Sequence, residues 1–402
     1  MTKRVIVVLG VMAGNPYAGI AWQCLQYLIG LRRLGHEVYY FEVSSVWPYD
    51  PNRRSPVDDS AYPLSYLQRL AADFDFRGRW AYRRSYSDGE WFGLPRTRAE
   101  AILREADAVL NISGATDVRA EGLSENLILV GTDPVVEEAR LAAGIEDTAC
   151  HISAHRASFT FGENIGTDRS PVPAFPNLAG TTRQPVVLDF WGPQGAPSRD
   201  VFTTVGNWHQ EGTEIAFGGE TYFWSKDREF LRFVDLPRRL GMQIELATTL
   251  DPSGELESPG NGSLPAGAGT PREVLESHGW RLIDALALTG DPWSYRDYIR
   301  ASKGEFTVAK DANVRLRTGW FSDRSASYLA AGRPVITQDT GFGDVLPTGR
   351  GLFAFRCMED ILAAFAAIQA DYAEHSRAAR DIAQQYFRAE TVLSRMLADA
   401  GL

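Results

Sequence analysis

Apolar residues at the start of the chain follow the spacing of a strand, then of a helix, then of a strand again. The run RVIVVLG at 4–10 is short and rich in β-branched residues, which is typical of a strand buried on both faces of a sheet. Between 19 and 35, apolar residues recur every three or four positions, as they do on one face of a helix. The run HEVYYFEV at 36–43 predicts the next strand. This order predicts a βαβ unit.

The same alternation continues after a less regular segment. Residues 44–95 are rich in Tyr, Trp, Arg and Asp and have weak periodicity, so we predict helices and loops that decorate the sheet. A helix is predicted at 96–106, with strands at 107–113 and 126–133. These elements extend the first unit into a doubly wound α/β half.

A second alternating set begins near residue 200. A strand is predicted at 200–208, one helix at 225–241 with Gly241 at its end, and a strand at 242–249. Residues 251–271 are rich in Gly, Pro and Ser and predict a surface loop. The segment 280–288 mixes strand and helix signals. The remaining predicted elements are a helix, three strands and a helical tail: 292–302, 304–310, 334–339, 351–355 and Met358 to nearly Leu402.

Two doubly wound halves face each other across a crevice at the carboxyl ends of their strands. We therefore predict two α/β domains, residues 1–185 and 186–402, with binding residues in the loops that follow strands. The length of 402 residues and the ordinary share of hydrophobic residues, 44%, agree with two soluble globular domains.

Charge and cysteine content limit the setting and the partners. The net charge of −10 argues against a broad nucleic-acid-binding surface, although it leaves open a local basic cleft, and we predict no nucleic-acid partner. The three cysteines are far apart and lack the spacing of a metal site, which favours a reduced, cytoplasmic setting. The first apolar run is broken at Gly14 and Pro16, so we expect neither a signal peptide nor integral membrane association. The sequence carries no signal for an oligomeric state.

A polar run precedes a predicted helix in GWFSDRSASYLAAGRPVITQDTGF, residues 319–342. A helix N-terminus exposes N–H groups and partial positive charge, which suits a phosphate. Ser322, Asp323 and Ser325 are candidates for that site, and the alternative is that they only cap the helix. Arg324 lies off the apolar side of the predicted helix, so we expect it to be exposed and free to bind an anion.

Several of these segments together resemble a known family. The order GEFTVAK, TGWFSDRSASYLAAGRPVITQDTGF, GRGLFAF and MEDILAAFAAI, within residues 304–368, resembles the C-terminal half of GT-B glycosyltransferases. GNPYAGIAWQCLQYLIGLRRLGHEVYYFE, at 14–42, is similar to the Gly-rich first turn of the same fold. The resemblance implies two Rossmann-like domains facing across a cleft, with the terminal helix packing back on the first domain.

The resemblance also implies the reaction. A loop and a helix N-terminus hold the diphosphate of a sugar nucleotide, and the sugar passes to a small acceptor without any further cofactor. Many members carry a Glu that binds the ribose at the position of Ser327 in this chain, so donor binding differs here in detail. Arg324 matches a pattern seen in some bacterial members.

The candidate site residues follow from both arguments. The leaving diphosphate gains negative charge, which calls for cations, and the acceptor calls for a base. The catalytic candidates are Asp133, His155, Lys310 and Arg324. The donor-binding candidates are Thr204, Gly206, Asn207, Lys226, Glu305, Ser322, Asp323, Ser325, Ser327, Asp339, Thr340 and Gly341. The candidates for acceptor or phosphate loops are Gly14, Asn15, Gly19, Trp22, Glu163, Asn164 and Trp208.

We predict no metal site. His151 and His155 are four apart but lack a third ligand nearby, and no DxD-like pair lies in an obvious strand-end loop of the second half. The predicted function is a metal-independent glycosyltransferase using a nucleotide diphosphate donor. The alternatives are a nucleotide-sugar epimerase or hydrolase of the same fold, and a non-catalytic binding protein. A dehydrogenase is disfavoured because no GxGxxG follows the first strand.

Overall fold

The computed structural model describes residues 2–43, 46–116, 125–192, 195–210, 212, 214–256, 264 and 267–402. The predicted loop at 251–271 lies in large part outside the described residues. Two parallel sheets organise the described chain, one in each half.

The first half is built on an eight-stranded sheet of order β10-β9-β8-β7-β1-β2-β5-β6, in which only β6 is antiparallel to its neighbour. The ten strands of this half are β1 (Val5–Leu9), β2 (Glu37–Val43), β3 (Tyr49–Asp50), β4 (Ser55–Pro56), β5 (Trp80–Arg83), β6 (Trp91–Gly93), β7 (Ala108–Ile112), β8 (Leu127–Gly131), β9 (Ala157–Thr160) and β10 (Leu178–Thr181). The helices are α1 (Ala18–Arg33), α2 (Ala61–Asp73), α3 (Arg96–Glu105), α4 (Val136–Ala142) and α5 (Glu146–Ser153).

The second half is built on a six-stranded, all-parallel sheet of order β15-β14-β11-β16-β17-β18. Its strands, with the hairpin β12–β13, are β11 (Phe202–Val205), β12 (Ile215–Phe217), β13 (Glu220–Tyr222), β14 (Ile244–Thr248), β15 (Trp280–Asp284), β16 (Gly304–Thr307), β17 (Val335–Gln338) and β18 (Leu352–Phe355). The helices are α6 (Leu188–Trp191), α7 (Asp227–Arg232), α8 (Leu236–Leu240), α9 (Pro271–Ser277), α10 (Ala285–Thr289), α11 (Pro292–Ala301), α12 (Asp311–Arg315), α13 (Asp323–Ala330), α14 (Met358–Ala370), α15 (Tyr372–Ile382) and α16 (Ala389–Asp399).

Strand β1 shows why its sequence is apolar without alternation. Ile6 and Val8 pack into the core on one face of the sheet, and Val7 and Leu9 pack into the core on the other. A parallel strand covered by helices on both sides has no face in water, so every position is apolar. The prediction of a strand buried on both faces is confirmed.

Three predicted elements differ from the structure. The single helix predicted at 225–241 is two short helices, α7 and α8, because Pro237 in the first turn of α8 cannot continue a preceding helix. Gly241 does end α8, in the left-handed region at φ 62°. The segment 44–95 contains β5 and β6 as well as α2, so it extends the sheet rather than only decorating it.

The tail is three helices rather than one. A break at Asp371 separates α14 from α15, and a π-helical turn, Ala383–Phe387, precedes α16. Helix α16 packs on α1 so closely that a Cβ added to Gly30 would lie 2.5 Å from Leu393 and 2.9 Å from Ala389. The chain thus passes between the halves twice, and the two passages pair where the Val186 N–H donates to the Phe387 carbonyl at 2.6 Å.

Among the described residues, none of the helices combines the length and the apolar character that crossing a membrane would take.

Candidate active site

A cleft of about 680 Å³ lies between the halves at the carboxyl ends of both sheets. Its walls come from the loops after β1 and β8 in the first half and after β11, β14, β15 and β16 in the second. This is the place where open parallel sheets bind ligands, because the loops after adjacent strands converge there.

The structure brings eleven of the predicted site residues to this cleft. They are Asn15, Gly19, Asp133, Gly206, Asn207, Trp208, Lys226, Lys310, Ser322, Asp323 and Arg324. Twelve others do not line it: Gly14, Trp22, His155, Glu163, Asn164, Thr204, Glu305, Ser325, Ser327, Asp339, Thr340 and Gly341.

Arg324 lines the cleft but is held rigidly from behind. Its Nε donates to the Glu305 carboxylate at 2.5 Å, and its two terminal nitrogens donate to the Val205 carbonyl at 2.6 Å and to the Thr307 hydroxyl at 2.9 Å. Only 9% of Arg324 is exposed. The expectation that Arg324 is exposed is therefore wrong. Helix periodicity alone does not show that Glu305, in strand β16, supplies a carboxylate to this side chain.

Glu305 does not reach the cleft. The residue is fully buried in β16, and its carboxylate accepts the hydrogen bond from Arg324. The predicted contact of Glu305 with a ribose or sugar hydroxyl is wrong, because the side chain is buried behind Arg324. Glu305 instead sets the position of the Arg324 guanidinium.

The N-terminus of α13 opens toward the cleft. Ser322 is the N-cap residue, but its side chain caps no helix N–H and contacts the Asp323 carboxylate at 3.3 Å. The Asp323 carboxylate accepts the Arg324 N–H at 2.8 Å, and burial raises the pKa of Asp323. Ser325 and Ser327 lie on the buried side of the helix, and the Ser327 hydroxyl donates to the Asp323 carbonyl at 3.2 Å. These two serines are not donor contacts.

Lys226 is a second cation of the cleft and is almost wholly buried. Burial, and then the positive charges of Arg324 and Lys310, lower the pKa of Lys226 to about 7. Arg324 and Lys226 flank Gly206, since a Cβ built there would lie 3.5 Å from an Arg324 terminal nitrogen and 3.7 Å from Lys226 Nζ. Unrelieved positive charge in a buried position favours an anion at this point.

Lys310 joins the two halves. Its Nζ lies 2.5 Å from the Asp133 carboxylate of the first half and 3.8 Å from the centre of the Trp224 ring. Asp133, the candidate base, is thus ion-paired in this structure.

The backbone N–H groups of the Gly-rich first turn are already hydrogen-bonded within the protein. The Ala13 and Gly14 N–H groups donate to the two oxygens of the Glu42 carboxylate at 2.8 and 2.6 Å. Burial raises the pKa of Glu42 to about 7. Gly14 therefore has no N–H left for a phosphate, although Asn15 and Gly19 of the same loop line the cleft.

Two predicted aromatic contacts belong to the core. Trp22 is 2% exposed, its indole donates to the Pro292 carbonyl at 2.8 Å, and its ring packs against Trp191. Trp208 reaches the edge of the cleft but is 3% exposed and stacks on Phe230. Neither ring is an open stacking surface.

His155 is excluded as a base by its contacts. Its Nδ1 lies 2.9 Å from the His151 carbonyl and its Nε2 lies 3.1 Å from the Asn111 amide, so both ring nitrogens are occupied. Burial lowers the pKa of His155 to about 4. Thr204 is likewise buried, and its hydroxyl bonds to Thr307 at 3.2 Å.

The predicted acceptor loop at Glu163 and Asn164 holds the halves together instead. The Asn164 amide donates to the carbonyls of Arg317 and Gly341 at 3.1 and 3.2 Å. Glu163 pairs with Arg183 at 2.5 Å, which is a contact within the first half, so the Asn164 amide is the side chain of this loop that joins the halves.

The side chains of the predicted sugar-binding turn at 339–341 are also engaged by contacts within the protein. Asp339 pairs with Arg356 at 2.7 Å, and the Thr340 hydroxyl donates to the Trp320 carbonyl. These side chains are buried, which the polar character of the turn does not reveal.

The sequence arguments missed other residues of the cleft, including Tyr17, Gln23, Trp224, Thr248, Thr249 and Tyr295. Thr248 ends β14 and Thr249 follows it, so the rule that ligands bind at strand ends applied to them as well. Nothing in the local sequence signals Trp224 or Tyr295. In the described part of the chain, no group of three His, Cys, Asp or Glu side chains is placed to hold a metal ion.

Similar solved structures cover the whole chain. A sucrose-phosphate synthase from Thermosynechococcus elongatus is 12% identical, with 98% of this chain and 97% of that chain covered and a TM-score of 0.53. Anabaena Alr3699/HepE in complex with UDP is 10% identical, with 98% and 99% covered and a TM-score of 0.55. The fold is that of the GT-B glycosyltransferases. No family model matches the sequence, and no curated protein does.

A third GT-B structure corrects one prediction. An alpha-glucosyltransferase in complex with UDP and a 13-mer DNA is 11% identical, with both chains covered over 100% and a TM-score of 0.56. The prediction that this protein has no nucleic-acid partner is contradicted, because a protein of the same fold is found with DNA. Net charge describes the whole surface and does not exclude a local binding site.

Proposed function

We propose that this protein is a glycosyltransferase that moves a sugar from a nucleoside diphosphate donor to a small acceptor. The observation that carries the proposal is the convergence of Arg324, Lys226 and Lys310 on one cleft beside the N-terminus of α13. Sugar transfer leaves a diphosphate whose charge grows in the transition state, and fixed cations stabilise it.

Arg324 is built to hold such a group without moving. Three of its five N–H groups are engaged by Glu305, Val205 and Thr307, so two remain for phosphate oxygens. Positioning before binding means that little reorganisation is needed during the reaction.

The two lysines complete the charge. Lys226 regains full protonation when an anion binds beside it, which strengthens the contact. Three cations and the dipole of α13 provide the neutralisation that a metal ion provides in other transferases, and we propose that no metal is required.

The acceptor side is the first half. Asn15, Tyr17, Gln23 and Asp133 line it with polar groups. In the proposed complex, the diphosphate draws Lys310 away from Asp133, and the freed carboxylate orients or deprotonates the acceptor hydroxyl. The Lys310–Asp133 pair at 2.5 Å is then the state of the free protein, and Asp133 acts on the acceptor only when the donor is bound.

Uridine is the first nucleoside to test, because two of the similar structures contain UDP. The experiment is release of free nucleoside diphosphate from a panel of UDP-, GDP- and ADP-sugars, with the acceptor supplied as a library of small hydroxyl compounds. We expect one donor to be turned over and Asp133→Asn to lose transfer while keeping donor affinity. Failure of every donor either to turn over or to raise the melting temperature would overturn the proposal.

A further inference from the structure

A second cavity, of about 690 Å³, lies where the two halves are joined. We call it the hinge cavity. Its lining comes from α6 and the residue after it, from the three helices α11, α13 and α15, and from the π-helical turn before α16: Leu188, Asp189, Phe190, Gly192, Trp293, Arg296, Arg300, Ala330, Arg380 and Gln384. It shares no lining residue with the active-site cleft.

Three arginines define the character of the hinge cavity. Arg296 and Arg300 stand one turn apart on α11, and Arg380 faces them from α15. All three are partly buried. Guanidinium groups placed together in a concave site are the usual receptor for phosphate oxygens, because each presents a planar fork of donors.

The carboxylates nearby do not balance this charge. Asp297 is shared between Arg296 at 2.7 Å and Arg300 at 3.5 Å, and its side chain is mostly exposed. Asp189 is paired with Arg33 at 2.9 Å. A fourth guanidinium, that of Arg333, lies behind the site and donates to the Arg300 carbonyl at 2.9 Å.

The pKa of Arg300 agrees with this charge distribution. Burial, and then the charge of Arg296, lowers the pKa of Arg300; Asp297 raises it, and Arg333 lowers it further. An anion bound among these groups would relieve this repulsion.

The hinge cavity also has an apolar wall. Trp293 and Phe190 line it with their rings 5.9 Å apart. Phe74 stacks on the Trp293 ring at 4.7 Å and the Arg296 guanidinium lies 4.6 Å from its centre, so the wall consists of the edge of Trp293 and the Phe190 ring. A single phosphate would leave most of the volume empty, whereas an organic group beside it would pack on these rings.

We propose that the hinge cavity binds a small phosphate-bearing organic molecule at a site separate from the active-site cleft. The phosphate contacts Arg296, Arg300 and Arg380, and the organic part packs on Trp293 and Phe190. Phe190 lies in α6, on the first passage between the halves, and Arg380 lies near the end of α15, directly before the second passage. The ligand therefore contacts segments at or next to both passages. The proposal does not depend on the identity of the reaction in the cleft.

The test is calorimetric titration of the full-length protein with phenyl phosphate, with inorganic phosphate as the comparison. Arg380→Gln removes the charge while keeping the aliphatic stem, and Arg377→Gln is the matched control on the same helix outside the hinge cavity. Loss of one charge-assisted contact is expected to weaken phenyl phosphate binding by about tenfold. Arg377→Gln is expected to bind as the wild type does, and the cleft variant Lys226→Met is expected to keep the hinge-cavity binding even if phenyl phosphate also enters the cleft.

Three results would overturn the proposal: no binding of phenyl phosphate at millimolar concentration, equal affinity in Arg380→Gln and Arg377→Gln, or loss of all binding in Lys226→Met. Should Arg380→Gln fail to fold, Arg296→Gln takes its place. Binding should also change the fluorescence of the wild type through Trp293, and this change should be absent in Trp293→Phe. Tighter binding of phenyl phosphate than of inorganic phosphate would support the apolar wall as part of the site.

Discussion

The Nε of Arg324 lies 2.5 Å from the carboxylate of Glu305, a residue with no exposed surface. One partner faces the cleft and the other lies in the sheet behind it. The pair therefore couples the active site to the core of the second half, and a change in either residue affects both binding and stability.

Arg324→Ala is expected to lower the free energy of unfolding by about 3–5 kcal/mol, because it leaves the Glu305 carboxylate buried and unpaired. Urea denaturation followed by circular dichroism measures this. The double variant Arg324→Met/Glu305→Leu removes both charges and should be more stable than Arg324→Ala. A single variant as stable as the wild type would show that the pair does not persist in solution.

We expect the protein to take up a proton at the Lys226 amine when UDP binds. At about pH 8 the buried amine, with its pKa lowered to about 7, is mostly neutral in the free protein and becomes charged beside the diphosphate. Calorimetry in buffers of different ionisation enthalpy should show uptake of nearly one proton in the wild type and none in Lys226→Met. Equal proton uptake in the two proteins would contradict the assignment.

The same shift has a consequence for stability. The unfolded chain binds the Lys226 proton up to its ordinary pKa of 10.5, and the folded chain releases it near 7, so stability rises with pH across that window by up to about 1.4 kcal/mol per pH unit. Below pH 7 the full penalty is present. Lys226→Met should therefore be at least as stable as the wild type at about pH 6.5, where the penalty on the charged amine is greatest.

Arg54 ties the first half to the second across one side of the cleft. Its guanidinium pairs with Asp284 at 2.5 Å and also donates to the Leu250 carbonyl. A partly exposed pair of this kind contributes at most about 1 kcal/mol, so Arg54→Ala should raise the donor KM by up to about fivefold with little change in kcat. Arg53→Ala is the control, because the ion pairs of Arg53 among the described residues are with Asp50 and Asp59 of the first half. Equal donor KM values in the two variants would show that the Arg54–Asp284 pair has no role in donor binding.

Activity should survive the removal of divalent metal ions. Arg324, Lys226 and Lys310 already supply positive charge where the diphosphate is proposed to bind. Turnover measured after dialysis against EDTA is expected to match turnover with added Mg²⁺. Activity that disappears in EDTA and returns with Mg²⁺ or Mn²⁺ would show that a metal shares this task.

The order of strands and the rule that ligands bind at strand ends could be predicted from the sequence, because both depend on local apolar patterns. They located Asp133, Gly206, Lys310 and Arg324. The orientation of polar side chains could not be predicted, since it depends on partners that are distant in sequence. Glu42 takes the N–H of Gly14, 28 residues earlier, and Asn164 bonds to the carbonyl of Gly341, 177 residues later.

The burial of a tryptophan ring also depends on partners that are distant in sequence. Trp22 and Trp208 both follow strands, yet one packs against Trp191 and the other against Phe230. A single sequence does not distinguish a ring that faces a cleft from one that fills the core beneath it.

Calorimetric titration of UDP into the wild type, Lys226→Met and Lys3→Met tests whether the cation cluster of the cleft binds a nucleoside diphosphate. The titration is made at about pH 6.5, where Lys226 carries its charge. Lys3 is exposed and paired with Glu37, away from the cleft, so Lys3→Met controls for the loss of one positive charge. We expect one UDP site, unchanged in Lys3→Met and weakened about tenfold or more in Lys226→Met. Equal UDP affinity in the three proteins would show that the cation cluster does not bind the diphosphate.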